Sequence, residues 1–133
     1  MADPVLDTDV ASVLQKLRAP AWVERSIVGN VTWLTFVTVA ELAAWAESRN
    51  WGAPNRARLD EWIARQPVIP YDVEIAKTWG WLAARARRRG RPRPQNDMWV
   101  AASCIRHRIP LLTLNEADFA DFAEHDGLLL VKP

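Results

Sequence analysis

The feature that most constrains the fold is that short apolar stretches pass straight into helical patterns, repeatedly along the chain. Val5-Leu6 leads into a helix read over Val10 to Leu17, which Pro20 stops. The stretch V-T-W-L-T-F-V, Val31 to Val37, is β-branched and aromatic and reads as a strand. It feeds into T-V-A-E-L-A-A-W-A-E, where Leu42, Trp45 and Ala46 share a helical face. Val68-Ile69 precedes a long helix from Asp72 with Ile75, Trp79, Leu82 and Ala86 at helical intervals, and Leu111 to Leu114 precedes a helix over Glu116 to Phe122. Helices are also read over Ala21 to Val28, Pro54 to Gln66 and Asp97 to His107, and a last strand over Leu128 to Val131. This alternation predicts an α/β three-layer sandwich with a mainly parallel central sheet flanked by helices. No repeat, linker or low-complexity segment breaks it, so residues 1–133 read as one domain, large enough to bury roughly 65 to 70% of its unfolded surface.

Ligands of such sheets bind outside the carboxyl ends of the strands. Four acids fall at such places: Asp7 after Val5-Leu6, Glu41 after the Val31 to Val37 strand, Asp97 at the head of an apolar helix, and Asp118 after Leu111 to Leu114. Each also has a structural explanation. Thr38 to Glu41 fits a capping box, Asn115 with Asp118 resembles another, and any acid in a first helical turn complements the macrodipole. Asp9 reads as a cap for the helix from Val10, contributing on the order of 1 kcal/mol. Capping leaves Asp7 unexplained, because a carboxylate where a strand leaves the sheet is partly desolvated and costly without a counter-charge. A bound cation would supply one.

Composition excludes little: half the residues are hydrophobic, a quarter are charged and the formal net charge is +1. Cys104, the only cysteine, sits in apolar V-A-A-S-C-I, so a buried core thiol and a reducing, cytoplasmic setting are expected. No apolar run reaches the roughly 18 residues that span a bilayer. Gly-rich phosphate loops, Ser-His-Asp order and Cys-His zinc spacing are all missing, and His107 and His125 are isolated near helix ends.

Taken together, V-L-D-T-D-V-A-S, T-V-A-E-L, N-D-M-W-V-A-A and L-L-T-L-N-E-A-D-F followed by G-L-L-L-V resemble, in order, the motifs of the PIN-domain ribonucleases, and within them the VapC-like toxins. The resemblance implies a PIN-like fold and maps the family's catalytic and metal-holding acids onto Asp7, Glu41, Asp97 and Asp118. Thr8, Asp9, Thr113 and Asn115 would support them. Asp9 stands where relatives commonly carry Asn or Ser, and Asn115 where some carry the fourth acid. The implied activity is Mg²⁺- or Mn²⁺-dependent hydrolysis of RNA phosphodiesters, chemistry suited to carboxylate and water oxygens. The implied partners are RNA, a cognate antitoxin protein and a second copy in a homodimer, with no membrane. Alternatives are a PIN nuclease of RNA processing, and a catalytically silent RNA- or protein-binding domain whose acids are caps.

The segment R-A-R-R-R-G-R-P-R puts six arginines in nine residues just before Asp97. Arg87, Arg88, Arg89, Arg91 and Arg93 are candidates for RNA phosphate contact, since the guanidinium fork matches phosphate. Complementing a helix C-terminus and solvating a surface is the structural alternative. Among the eight tryptophans, Trp33, Trp45 and Trp79 are expected in the core, while Trp22, Trp51 and Trp62 lie on or near the early helices as candidate interface anchors.

Overall fold

The computed structural model describes residues 3–133. In chain order the elements are β1 Val5–Leu6, α1 Thr8–Gln15, α2 Ala21–Ile27, β2 Leu34–Thr35, α3 Phe36–Ser48, α4 Ala53–Ala64, β3 Val68–Ile69, α5 Val73–Arg88, α6 Gln95–His107, β4 Leu111–Leu112 and α7 Glu116–His125. β1 pairs in parallel with β4, Val5 opposite Leu111 and Leu6 opposite Leu112, and β2 pairs in parallel with β3. Parallel bridges Val5–Trp33 and Leu111–Leu130 join these ladders into one run, β3-β2-β1-β4 with Leu130 at the edge.

Alternation along the strands divides the interior. Val5 and Leu111 point to one side and pack with Ile75, Leu82, Val100, Phe119 and Phe122. Leu6 and Leu112 point to the other and pack with Val10, Val23, Leu34, Leu42 and Leu59. The expected parallel sheet between two helical layers is therefore the architecture found. Each strand is only two residues long; β1, β2 and β4 bury both residues, whereas β3 buries Ile69 and leaves Val68 exposed.

The Val31 to Val37 strand is shorter than expected, and α3 starts at Phe36. Its β propensity yields to tertiary context: Thr35, the last residue of β2, accepts the Thr38 N–H at 3.2 Å as the cap of α3, and Val37 is buried against the core from the helix. Likewise Leu128 to Val131 contributes one bridge at Leu130 rather than a full strand. Cys104 is buried, which pushes its thiol up, away from reactivity. Trp33, Trp45 and Trp79 are only half-buried, packed around the core rather than within it. Trp22, Trp51 and Trp62 are also half-buried, against the second core.

The arginine segment divides. Asp126 has a fully buried side chain and accepts Arg85 Nε at 2.6 Å and Arg89 Nη2 at 2.7 Å. Arg89 also holds Asp121 through Nε at 3.1 Å and Nη2 at 2.7 Å. Its guanidinium is spent clamping α5 to α7, which corrects its reading as an RNA contact, whereas Arg87, Arg88 and Arg91 remain exposed. Replacing Arg89 with Ala leaves the buried Asp126 short of counter-charge and should destabilise the protein by about 3 kcal/mol. Arg87→Ala and Arg88→Ala should stay within about 0.5 kcal/mol of the parent. Urea unfolding of the three variants measures the difference.

Candidate active site

The site begins where β1 ends. Asp7 takes an extended conformation and is the N-cap of α1, its Oδ1 accepting the Thr8 N–H at 2.9 Å. Its Oδ2 accepts the Thr113 hydroxyl at 2.8 Å. That hydroxyl in turn accepts the Asn115 N–H at 3.0 Å. Parallel pairing of β1 with β4 makes this possible, since both strands release their chains at the same end of the sheet.

Asp9 was expected to cap a helix from Val10, but α1 begins at Thr8 and Asp7 caps it. Asp9 Oδ1 accepts the Val10 N–H at 2.7 Å, and its Oδ2 accepts Asn115 Nδ2 at 2.7 Å and the Leu114 N–H at 3.2 Å. It thereby ties α1 to the loop after β4. The strand is Val5-Leu6 as expected, but Asp7 directly after it supplies the cap, so the helix starts two residues sooner.

Glu41 loses its capping explanation as well. With α3 capped by Thr35, Glu41 lies in the second turn, and its Oε1 accepts the Thr8 hydroxyl at 2.7 Å. Thr8 Oγ1 also lies 2.9 Å from the hydroxyl of fully buried Thr38. Thr38 was not foreseen here; the available signal was its position three residues before Glu41, on the same helical face.

Asp97 is the third residue of α6, which starts at Gln95, and it is half-buried in the first turn. Asp118 lies in the first turn of α7 and accepts Arg93 Nη2 at 3.2 Å. The box expected between Asn115 and Asp118 does not form: the Asn115 N–H goes to Thr113, and the Asp118 carboxylate to Arg93. Arg93 is half-buried beside the acids, with its Nε shielded and unpaired. Its pairing with Asp118 had no signal in the spacing, because it depends on how the loop before α6 passes α7.

Negative charge is concentrated here, and Arg93 offsets only part of it. Asp7 is raised to about 7, chiefly by burial, then by Asp9 and more weakly by Asp97, against the lowering effect of Thr113 and the Thr8 N–H. Asp9 is raised, mainly by burial. Asp97 is raised by burial first and then by Asp118, with Glu41 and Asp9 adding to it and Arg93 opposing it. These mutual influences draw Asp7, Asp9, Glu41, Asp97 and Asp118 into one electrostatic group at the carboxyl end of the sheet.

The family profile described as PIN domain matches residues 5–125. The chain belongs to the PIN-domain family. It is 28% identical over 131 residues to Ribonuclease VapC5 of Mycobacterium tuberculosis, covering 96% of this chain and 91% of that protein. It is 29% identical over 119 residues to Ribonuclease VapC1 of Haemophilus influenzae, covering 86% of this chain and 88% of that one. The crystal structure of VapBC-5, a member of the VapBC family of toxin-antitoxin systems from Mycobacterium tuberculosis, superimposes with a TM-score of 0.76 at 25% identity over the whole of both chains.

The acid group of this PIN domain suits a hard divalent cation. Its donors are carboxylates, hydroxyls and backbone groups with neither thiolate nor imidazole among them, and the buried carboxylate at its centre lacks a counter-charge. Among the described residues, no three acids converge into a ready-made cage. Three of them are engaged by neighbours instead: Glu41 by Thr8, Asp118 by Arg93, Asp9 by Asn115.

A raised carboxyl fixes the sign of the pH dependence. Between about pH 4, where Asp7 ionises in the unfolded chain, and about pH 7, where it ionises in the folded one, the folded state holds the extra proton. Without metal, stability from this group is therefore present below about pH 4 and is lost as pH rises through about 7, by on the order of a few kcal/mol. Urea unfolding in EDTA should show this decline from pH 5 to 8 in the parent and a flatter profile in Asp7→Asn.

Proposed function

We propose that this PIN domain is an endoribonuclease dependent on Mg²⁺ or Mn²⁺, and that it is the toxin of a toxin–antitoxin pair. The observation that carries the reading is Asp7, buried at the carboxyl end of a parallel sheet, raised toward neutrality by its own burial and by neighbouring acids. A bound cation would make the ionised form of that arrangement favourable at neutral pH. The names of the relatives, ribonucleases and members of toxin-antitoxin complexes, agree in kind.

Asp7 and Asp97 would hold the principal ion, directly or through water, with Glu41 and Asp118 completing its surroundings or orienting the attacking water. When bound, such an ion polarises the phosphodiester and lowers the pKa of a water. The chain's own residues prepare the site. Thr113 fixes one oxygen of Asp7 and the Thr8 N–H fixes the other. Thr8 turns Glu41 inward through its hydroxyl. Asp9 and Asn115 lock the loop that carries Thr113 against α1. Arg93 gives Asp118 a cationic neighbour, and its guanidinium would meet the phosphate when Asp118 turns to the ion.

The natural context proposed is the cytoplasm, as a homodimer restrained by a small cognate antitoxin. No helix among the described residues is long and apolar enough to cross a membrane. Purified protein should cleave cellular RNA with Mg²⁺ or Mn²⁺ and not with EDTA, and Asp7→Asn or Asp97→Asn should each lower the rate by roughly a hundredfold or more. Equal cleavage in every lane would mark a contaminant and sink the reading. Growth arrest on expression, relieved by the product of a neighbouring small gene, tests the toxin role; a processing nuclease or a silent domain would cause no such arrest.

A further inference from the structure

The helices that carry the acids also carry cations at their far ends. At one end of α1, Thr8 meets Thr38 and Glu41 of α3. At the other, Lys16 just past α1 and Arg49 just past α3 line a single groove of about 450 Å³ together with Arg18, Trp51, Asn55 and Arg58. The two helices thus lie side by side in the same direction, with acids at the start and cations at the finish. From Thr8 to Lys16, and from Glu41 to Arg49, the helical rise amounts to roughly 12 Å.

This groove holds four cations and no carboxylate. Among the described residues, none of Lys16, Arg18, Arg49 and Arg58 is within salt-bridge distance of an acid; the nearby pair is Arg56 with Glu47, at 2.5 Å, which neutralise each other. Instead Lys16 lies over the Trp51 ring, 5.3 Å from its centre, and Arg49 over Trp45 at 4.9 Å. Arg58 Nη2 bonds Asn55 Oδ1. Partial burial and the nearness of Arg49 and Arg18 push the Lys16 ammonium below its ordinary value. The cations repel one another, so an anion entering between them is stabilised by all four.

We propose that this groove, set behind the acid site at the ends of α1 and α3 and the start of α4, binds the phosphate backbone of single-stranded RNA. The inference rests on the ribonuclease reading and deepens it: the substrate is gripped at a second place, away from the bond that is cut. Charge complementarity selects the occupant. Guanidinium groups match phosphate oxygens, and an aromatic wall beside a cationic track suits a single strand. An apolar peptide finds little here, because Leu17 is the only aliphatic side chain lining the groove.

The test compares the parent protein with Arg49→Ala/Arg58→Ala and with the charge-conserving Arg49→Lys/Arg58→Lys. Binding of a fluorescein-labelled oligouridylate is followed by anisotropy across a salt series in EDTA, so that hydrolysis does not enter the reading. Removing two phosphate contacts should lower the slope of log affinity against log salt by about 1.4. The Ala variant should bind roughly tenfold or more weakly at low salt, and the Lys variant should keep most of the slope. With metal added, the Ala variant should show a higher KM on long RNA and unchanged cleavage of a dinucleotide too short to span both places. An unchanged slope, or a parent that does not bind RNA, overturns the proposal. So does an unchanged RNA slope accompanied by lost binding of a polyglutamate peptide, which assigns the groove to an acidic protein. Failure of the nuclease reading shows separately, as absent metal-dependent cleavage by the parent.

Discussion

Everything at the acid site depends on the parallel pairing of β1 with β4. Parallel neighbours release their chains on the same side of a sheet, so Asp7 and Thr113 emerge together and meet at 2.8 Å. The helices that follow, α1 and α7, start there too and present Asp9 and Asp118 in their first turns. Glu41 joins because α3 lies against α1 and the Thr8 hydroxyl reaches it. Burying Val5, Leu6, Leu111 and Leu112 completely is therefore what brings distant acids into one electrostatic group.

That grouping is unfavourable in itself. Desolvation raises Asp7, Asp9 and Asp97, like charge adds to it at Asp7 and Asp97, and among the described residues the cation drawn in is Arg93, through Asp118. A divalent ion, as proposed, would offset this cost at one end of the sheet. The opposite ends of α1 and α3 carry an unmatched set of cations instead. On the proposed readings, opposite charge at the two ends of one helix pair would divide the work between cutting a phosphodiester and holding the strand that contains it.

Periodicity and order made the architecture legible. Each strand-to-helix passage is visible in the spacing of apolar residues, and so is the acid Asp7 directly after β1. Element limits were less legible. Local spacing reads Asp9 as the cap and leaves Asp7 free, whereas Asp7 is the cap, since the helix begins at Thr8. Thr35, hidden inside an apparent strand, caps α3 and thereby frees Glu41. Arg89 resembles its neighbours in a basic run yet is a clamp, because at the end of α5 it meets Asp121 of α7 and buried Asp126 just past it. Such outcomes rest on helix phase against a partner distant in sequence, which local spacing does not encode.

The central claim is that these acids form a cation site rather than a set of caps, and calorimetric titration with Mn²⁺ near pH 7 in buffers of different ionisation heat tests it most directly. The account predicts binding that releases protons, because the ion must displace the proton retained on the raised acids, and predicts that Asp7→Asn weakens the binding and reduces the release. Absence of Mn²⁺ binding, or the same affinity and proton release from parent and variant, would contradict it.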